Sequence, residues 1–208
     1  MMRRLLLILG TVTLAGCFHA APSAPAAPEP GASPRAIAVY RAIAESIYVG
    51  TTNRVVAVAT SSMDLKCAAT DCADLAARFG METLWFAKGD SSEARSARAD
   101  LLAHAVAPFD IAAVAHGRSM LLEADAGDIP GVDANIQEWI HFRAAHADAS
   151  GAVRMSPIGF SKSGHTALAI VDWRCGPTCG HTLGVALTAT SDSTWSVDEM
   201  LLLSSVGK

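Results

Sequence analysis

The last third of the chain constrains the fold most, because apolar runs alternate there with short turn sequences. Four runs rich in β-branched and other apolar residues cover 154–160, 166–173, 182–190 and 194–204. The segments between them are short and contain Ser, Gly, Pro and Asp, which favour turns. Short connections join antiparallel neighbours, whereas a parallel crossover needs a dozen or more residues. The pattern therefore predicts an antiparallel β meander of about four strands.

The region before this meander has the residue spacing of helices. Ser33 can cap a first helix, Pro34 suits its first position, and Gly50 can end it. A β-branched run at 54–60 predicts one strand. An N-terminal helix, a helical middle and a C-terminal meander together predict the α+β class. The helices expected in the middle cover 70–79, 93–107 and 132–146, and two short apolar stretches, 111–114 and 120–122, are candidate strands.

The spacing of residues in the helix predicted over 132–146 indicates which face is packed. Ile136, Trp139, Ile140 and Arg143 recur at helical intervals, so we expect these side chains to pack together on one side. Trp139, Trp173 and Trp195 are large apolar side chains within predicted elements. We expect them to fill the core between the helices and the sheet, and an exposed aromatic strip that binds a ligand is the alternative.

The first 17 residues have the parts of an export signal. Arg3 and Arg4 precede a short apolar run at 5–13, and small residues precede Cys17. A transmembrane helix needs about 20 apolar residues, and this run is shorter. The ending Leu14-Ala15-Gly16-Cys17 resembles the lipobox of bacterial lipoproteins, which implies cleavage after residue 16 and acylation of the Cys17 thiol, as with palmitate. An ordinary soluble signal peptide is the alternative.

The lipobox predicts a firm membrane anchor, since two or three acyl chains bind a bilayer much more strongly than one. Phe18 follows Cys17, where lipoproteins retained at the inner membrane carry Asp. The expected location is therefore the outer membrane, facing the periplasm. Residues 1–16 are the predicted signal peptide, 17–34 the lipidated Cys17 and a tether, and 35–208 one α+β domain.

The tether is rich in Pro and Ala, which favours extended conformations that bury no core. The chain as a whole has a net charge of −4, and the predicted cleavage removes two arginines, so the mature protein is more acidic. No basic patch interleaved with aromatic residues is found in the sequence, which argues against a nucleic-acid partner. The expected partners are the membrane, through the lipid anchor, and an envelope protein or a small ligand.

The C-terminal part also contains a series of motifs. They are Trp139, Phe142, Gly151, Ser156-Pro157-Ile158-Gly159-Phe160-Ser161, Thr166-Ala167-Leu168-Ala169, Cys175-Gly176-Pro177-Thr178-Cys179-Gly180 and Trp195-Ser196-Val197. This series resembles an uncharacterised family of exported bacterial proteins with a C-G-x-x-C-G hairpin, and the resemblance covers roughly the last 70 residues. It implies an antiparallel sheet with a disulfide-closed hairpin and no particular activity.

Four cysteines remain when Cys17 is assigned to acylation, and they form two close pairs. Four cysteines allow three connectivities, but the local pairs Cys67–Cys72 and Cys175–Cys179 demand least of the fold, and export favours oxidation. Redox catalysis is disfavoured, since three residues separate Cys175 from Cys179 between two strands. A metal site of Cys175, Cys179 and His181, with His165 as a further ligand, has suitable ligand types but needs reduced cysteines.

No catalytic motif and no cofactor-binding motif is evident in the sequence. The first functional hypothesis is therefore a non-catalytic envelope lipoprotein that binds a partner or ligand. The second is an envelope hydrolase whose site assembles only in the fold. Such a site requires Ser161 or Ser163 within hydrogen-bond reach of His165 or His181, with a carboxylate behind the histidine.

Overall fold

The computed structural model describes residues 32–49, 55–63, 91–104, 110–131, 134–191 and 193–206. The predictions for the signal peptide, for Cys17, for the tether before residue 32, for the Cys67–Cys72 pair and for a helix at 70–79 lie outside these residues. No helix within the described ranges is long and apolar enough to span a bilayer.

Three α-helices occur in the described residues: α1 (Pro34–Ala44), α2 (Ser92–His104) and α3 (Ile136–Ala145). As the sequence predicts, Ser33 caps α1, and its hydroxyl accepts the Ala36 N–H at 3.2 Å. A π-helical turn, Glu45–Val49, follows α1 directly. Asn135 caps α3, accepting the Gln137 N–H at 2.8 Å. The segment around 111–114, a candidate strand in the sequence, is instead the 3₁₀ turn Ala112–Val114.

Seven strands form one mixed sheet in the described part of the chain. They are β1 (Val56–Ala59), β2 (Leu121–Ala124), β3 (Ala152–Met155), β4 (Gly159–Phe160), β5 (Thr166–Gly176), β6 (Cys179–Ser191) and β7 (Thr194–Val206). The strand order is β2-β1-β3-β5-β6-β7, and β4 also pairs with β5. Strand β1 is parallel to both β2 and β3, and the remaining pairs are antiparallel.

The α+β class holds in its coarser form, as helices combined with a β-sheet, but two finer predictions are wrong. The sheet is not a four-stranded antiparallel meander, because the predicted run at 154–160 divides into β3 and β4 and the sheet continues through β1 and β2. The described middle of the chain is not simply helical either, since it contributes β2 at an edge of the sheet. The candidate strand at 120–122 is confirmed as β2, although its parallel pairing with β1 was not predicted.

Helices cover both faces of the sheet, and the two faces differ in side-chain size. Val56 and Val58 of β1 face α1, where they pack in a cluster with Tyr40 and Ile43. The alternate residues, Ala57 and Ala59, face α3 instead. Alternation along a strand buries both sets because β1 is covered on both sides. The small alanines leave room for the two aromatic residues of α3, Trp139 and Phe142.

The prediction of which face of α3 is buried is wrong by part of a helical turn. Trp139 is buried as expected, but its inward partner is Phe142. Ile136 and Ile140 are 62% and 51% exposed. Arg143 lies at the surface and donates hydrogen bonds to the carbonyls of Ala149 at 2.9 Å and Cys175 at 3.0 Å. Packing of two large aromatic rings against the alanine face determines the rotation of this helix.

Candidate functional site

Two clefts meet at Trp195, beside the first helix. The first, called the Arg35 cleft here, has a volume of about 440 Å³ and lies between the start of α1, the β4–β5 turn and the β6–β7 turn. The second, the Arg118 cleft, also has a volume of about 440 Å³ and extends along α1. The Arg35 cleft is lined by Arg35, Ser163, Gly164, His165, Ala189, Thr190, Ser191 and Trp195.

The guanidinium of Arg35 is held in place by aromatic rings. It lies 4.7 Å from the centroid of the Phe160 ring and 5.4 Å from that of Trp195. Such cation–π contacts orient the side chain without using its N–H donors. Gly164 has a φ of +76°, and a Cβ at this position would overlap the guanidinium. Glycine is therefore required here both by the turn conformation and by the position of Arg35.

Within the described residues, the donors of Arg35 have no hydrogen-bond or ion-pair partner. The neighbouring Trp195 is only 7% exposed, and its indole nitrogen also has no partner among those residues. A buried donor without a partner is uncommon in a folded protein. The wall of the Arg35 cleft thus contains a cation whose donors have no described partner, over the ring of a tryptophan whose buried indole N–H also has no described partner.

The β4–β5 turn is held by a network around Glu93 of α2. The hydroxyl of Ser163 donates to the Glu93 carboxylate. The same oxygen accepts the His165 N–H at 3.1 Å and lies 3.2 Å from the hydroxyl oxygen of Ser161. Ser163 thus donates its proton to α2 and accepts from the backbone of the turn, so its hydroxyl has a structural role.

Hydrogen bonds from the Ser161 and Ser163 hydroxyls lower the pKa of the Glu93 carboxyl below its ordinary value, and the nearby His165 adds to this effect. Glu93 is therefore an anion that holds the turn. Ser161 has a structural role as well, since its hydroxyl accepts the Thr166 N–H at 3.0 Å.

The structure brings together part of the predicted Ser/His site, but not in a catalytic arrangement. Ser161, Ser163 and His165 share one turn, yet His165 contacts Ser163 through its backbone N–H. His181 pairs with Trp173, eight positions along β5 from His165, a separation of about 26 Å at ~3.3 Å per residue. His181 is thus at the other end of the sheet and does not join either serine.

The β5–β6 hairpin contains the predicted cysteine pair. A disulfide joins Cys175 and Cys179, whose Cα atoms are 5.2 Å apart. Cys175 occupies a bulge between Arg174 and Gly176, which places it opposite the start of β6. The His181 ring stacks on Trp173 with centroids 5.3 Å apart. In this state the two sulfurs are not thiolates, so Cys175, Cys179 and His181 do not form the metal-ligand set considered from the sequence.

The distance along β5 also separates His165 from those cysteines. Among the described residues, no group of three or more His, Cys, Asp or Glu side chains could hold a metal ion.

Arg35 and Trp195 are the site residues that sequence reasoning did not identify as such. Arg35 is one of several arginines, and nothing local distinguishes it from a surface cation. Trp195 was assigned to the core, where it is indeed buried. The only local signal is the position of Arg35 immediately after the Ser33-Pro34 helix start. Its aromatic neighbours come from strands more than 100 residues later, so no short window of sequence shows the contact.

Comparison with known proteins adds no assignment. No protein-family model matches the chain, and neither the curated proteins nor the solved structures compared with it include a match.

Proposed function

We propose that this protein is a lipid-anchored protein of the cell envelope that binds an envelope partner or a small ligand through the Arg35 cleft, without catalysing a reaction. The lipobox ending at Cys17 and the Pro-rich tether support the anchor. The single observation that carries the binding role is the Arg35 guanidinium, which lies over Phe160 and Trp195 and whose donors have no partner among the described residues.

A prearranged cation supports binding because less conformational freedom is lost when a ligand arrives. An exposed arginine normally samples many rotamers, and ordering it opposes association. Here the two aromatic rings and the space left by Gly164 already restrict the side chain. The planar fork of donors is then available to an acceptor group at lower entropic cost.

The contacts of Ser163 favour binding over hydrolysis. A serine nucleophile needs a base that removes its proton, and the hydroxyl of Ser163 donates to Glu93, whose lowered pKa makes its carboxylate a weak base. No described imidazole is hydrogen-bonded to this hydroxyl. The envelope hydrolase therefore remains the alternative hypothesis without a specific contact in its favour.

The anchor is tested by mass spectrometry of the mature N-terminus and by partitioning of the full-length protein between detergent and water. We expect a diacylated or triacylated Cys17 and recovery in the detergent phase. The Cys17→Ser variant should move to the aqueous phase, because it lacks the acyl acceptor. An unmodified N-terminus downstream of Cys17 in the wild-type protein would overturn the anchor.

The absence of catalysis is tested with a panel of chromogenic esters. We expect the wild-type protein and the Ser163→Ala variant to give the same background rate. Ser204 of β7, remote from the cleft, provides the matched control variant Ser204→Ala. Turnover by the wild type that is lost in Ser163→Ala and retained in Ser204→Ala would refute the non-catalytic assignment.

A further inference from the structure

We propose that the Arg35 cleft is a binding site for a phosphate group, carried by a lipid headgroup or by a soluble phosphorylated molecule. Arg35 is the main contact, and the indole N–H of Trp195 is a second donor. This inference deepens the proposed binding role, and only the choice of a lipid source depends on the membrane anchor.

The charge of the joined clefts favours an anion. Their walls contain three arginines, Arg35, Arg41 and Arg118, and one carboxylate, Glu45. Glu45 forms an ion pair with Arg118, which leaves two arginines without a carboxylate partner in these walls. The whole chain has a net charge of −4, so this concentration of positive charge is opposite in sign to that of the protein. Local positive potential of this kind attracts anionic ligands.

Glu93 is a carboxylate close to the Arg35 cleft. It accepts the Ser163 hydroxyl and interacts with His165, both of which line the cleft. Its charge is therefore partly balanced by groups of the turn itself. Arg35 has no such carboxylate partner in the described residues, and its charge is available to a ligand.

The donors around the cleft suit phosphate oxygens. A guanidinium offers parallel N–H groups that match phosphate in a bidentate manner. The cleft lies at the first turn of α1, where the helix dipole favours negative charge. Trp195 lines the cleft as well, and its buried N–H has no partner among the described residues, so a phosphate oxygen that reaches this N–H would satisfy it.

The size and position of the cleft distinguish a phosphate-bearing molecule from a small carboxylate. About 440 Å³ is much more than one small carboxylate fills, and the Arg118 cleft continues the space beyond Trp195. Arg35 also immediately follows the predicted tether, which ends at residue 34. The cleft is thus at the end of the domain that the proposed tether joins to the proposed lipid anchor.

The first experiment follows the indole N–H resonances of the mature full-length protein in detergent by ¹⁵N-edited NMR. Sodium phosphate is titrated against sodium chloride and sodium acetate at equal ionic strength. We expect phosphate alone to shift the Trp195 resonance saturably, with Trp195→Phe providing the assignment. No saturable shift with phosphate, or an equal shift with acetate or chloride, would overturn the proposal.

Variants test the role of Arg35. We expect Arg35→Gln to weaken phosphate binding at least tenfold and Arg35→Lys to weaken it less, because Lys keeps the charge but loses the planar fork. The control is Arg98→Gln on α2, which packs on the opposite face of the sheet. Unchanged Trp139 and Trp173 resonances show that each variant is folded. Phosphate affinity that Arg35→Gln leaves unchanged would refute the assignment.

The second experiment identifies the source of the phosphate. Full-length Cys17→Ser protein, which lacks the acyl anchor, is mixed with phosphatidylcholine vesicles with or without phosphatidylglycerol. Arg35-dependent binding to phosphatidylglycerol vesicles supports the headgroup, and phosphate binding without vesicle binding supports a soluble ligand. A wild-type protein found to be unacylated would refute the anchor but leave the phosphate titration interpretable.

Discussion

Replacing Asp172 with Asn breaks a buried ion pair on the face of the sheet opposite α1, and we expect this variant to lose about 3–5 kcal/mol of folding free energy. The Asp172 carboxylate accepts the Arg174 Nε–H at 2.9 Å and the Thr182 hydroxyl at 3.1 Å. A second Arg174 nitrogen lies 2.7 Å from the same carboxylate oxygen. The side chains are only 3% and 5% exposed, so the arginine left behind has almost no access to water.

The β5–β6 register explains why this pair is closely held. Asp172 is directly opposite Thr182, and Arg174 is opposite Gly180. A Cβ at position 180 would lie 2.6 Å from Arg174 Cδ, so glycine leaves space for the arginine side chain. A second glycine, Gly151, is similarly close to the backbone of Arg174. The uncompensated guanidinium in Asp172→Asn therefore has little room to move toward solvent.

Thermal and urea unfolding, followed by circular dichroism without reductant, measure the effect. A loss of 3–5 kcal/mol corresponds to a fall in Tm of roughly 6–20 °C for a domain of this size. Asp198→Asn is a matched control, because Asp198 accepts the hydroxyl of a cross-strand threonine, Thr188, at an exposed position. We expect a loss below about 1 kcal/mol there.

A double variant separates the cost of a lone charge from the value of the pair. Asp172→Leu with Arg174→Met removes both charges, and we expect it to recover most of the lost stability. Equal losses in Asp172→Asn and Asp198→Asn, or a double variant less stable than Asp172→Asn, would refute the reasoning.

Three further predictions concern the packing, the turn and the hairpin. In Gly159→Ala, the new Cβ overlaps the backbone of α2 at Ala97 and Leu101, so urea unfolding should show a loss of about 1–3 kcal/mol of folding free energy. Gly176→Ala is the control, because nothing lies within 4 Å of its new Cβ, and we expect no loss there. Equal losses in the two variants would contradict this prediction. The depressed pKa of Glu93 stabilises the fold above the unfolded carboxyl pKa, and this contribution is lost as the pH falls through the folded value. The Tm of Glu93→Gln should therefore be below that of the wild type at neutral pH. The difference should shrink as the pH falls below the unfolded carboxyl pKa, and a difference that grows in acid would exclude this sign. Removing the disulfide with Cys175→Ser and Cys179→Ser should lower the folding free energy by about 2 kcal/mol, because the bond closes a loop between residues four positions apart. An unchanged urea midpoint would rule out a stabilising role.

Elements with strong local signals could be predicted from the sequence. The Ser33-Pro34 helix start, the long β-rich runs of β5 to β7 and the helix at α2 all depend on capping, proline geometry or residue spacing within a short window. The rotation of α3 could not be predicted, because Ile136 and Ile140 have the same periodicity as a buried face. Which face is inward depends on the size of the residues opposite, here the alanines of β1 and β3.

The candidate site was predicted only in part for a similar reason. Ser161, Ser163 and His165 were identified as neighbours because they share one turn, and neighbours in sequence stay close in any fold. That these hydroxyls hold the turn in place could not be seen from the sequence, because the partner of Ser163 is Glu93 of α2, 70 positions earlier in the chain. The pairing of His181 with Trp173 then separates it from this turn.

The sequence by itself determined the proposed lipobox at Cys17, the cysteine pair at the hairpin and most of the described helices and strands, because each depends on residues close together in the chain. The tertiary structure alone decided that β1 and β2 extend the sheet in parallel, and that Arg35 meets Phe160 and Trp195. Long-range packing brings these residues together, and no local spacing encodes it. The proposed binding cleft is therefore a property of the folded chain, whereas the proposed membrane anchor rests on the first 17 residues alone.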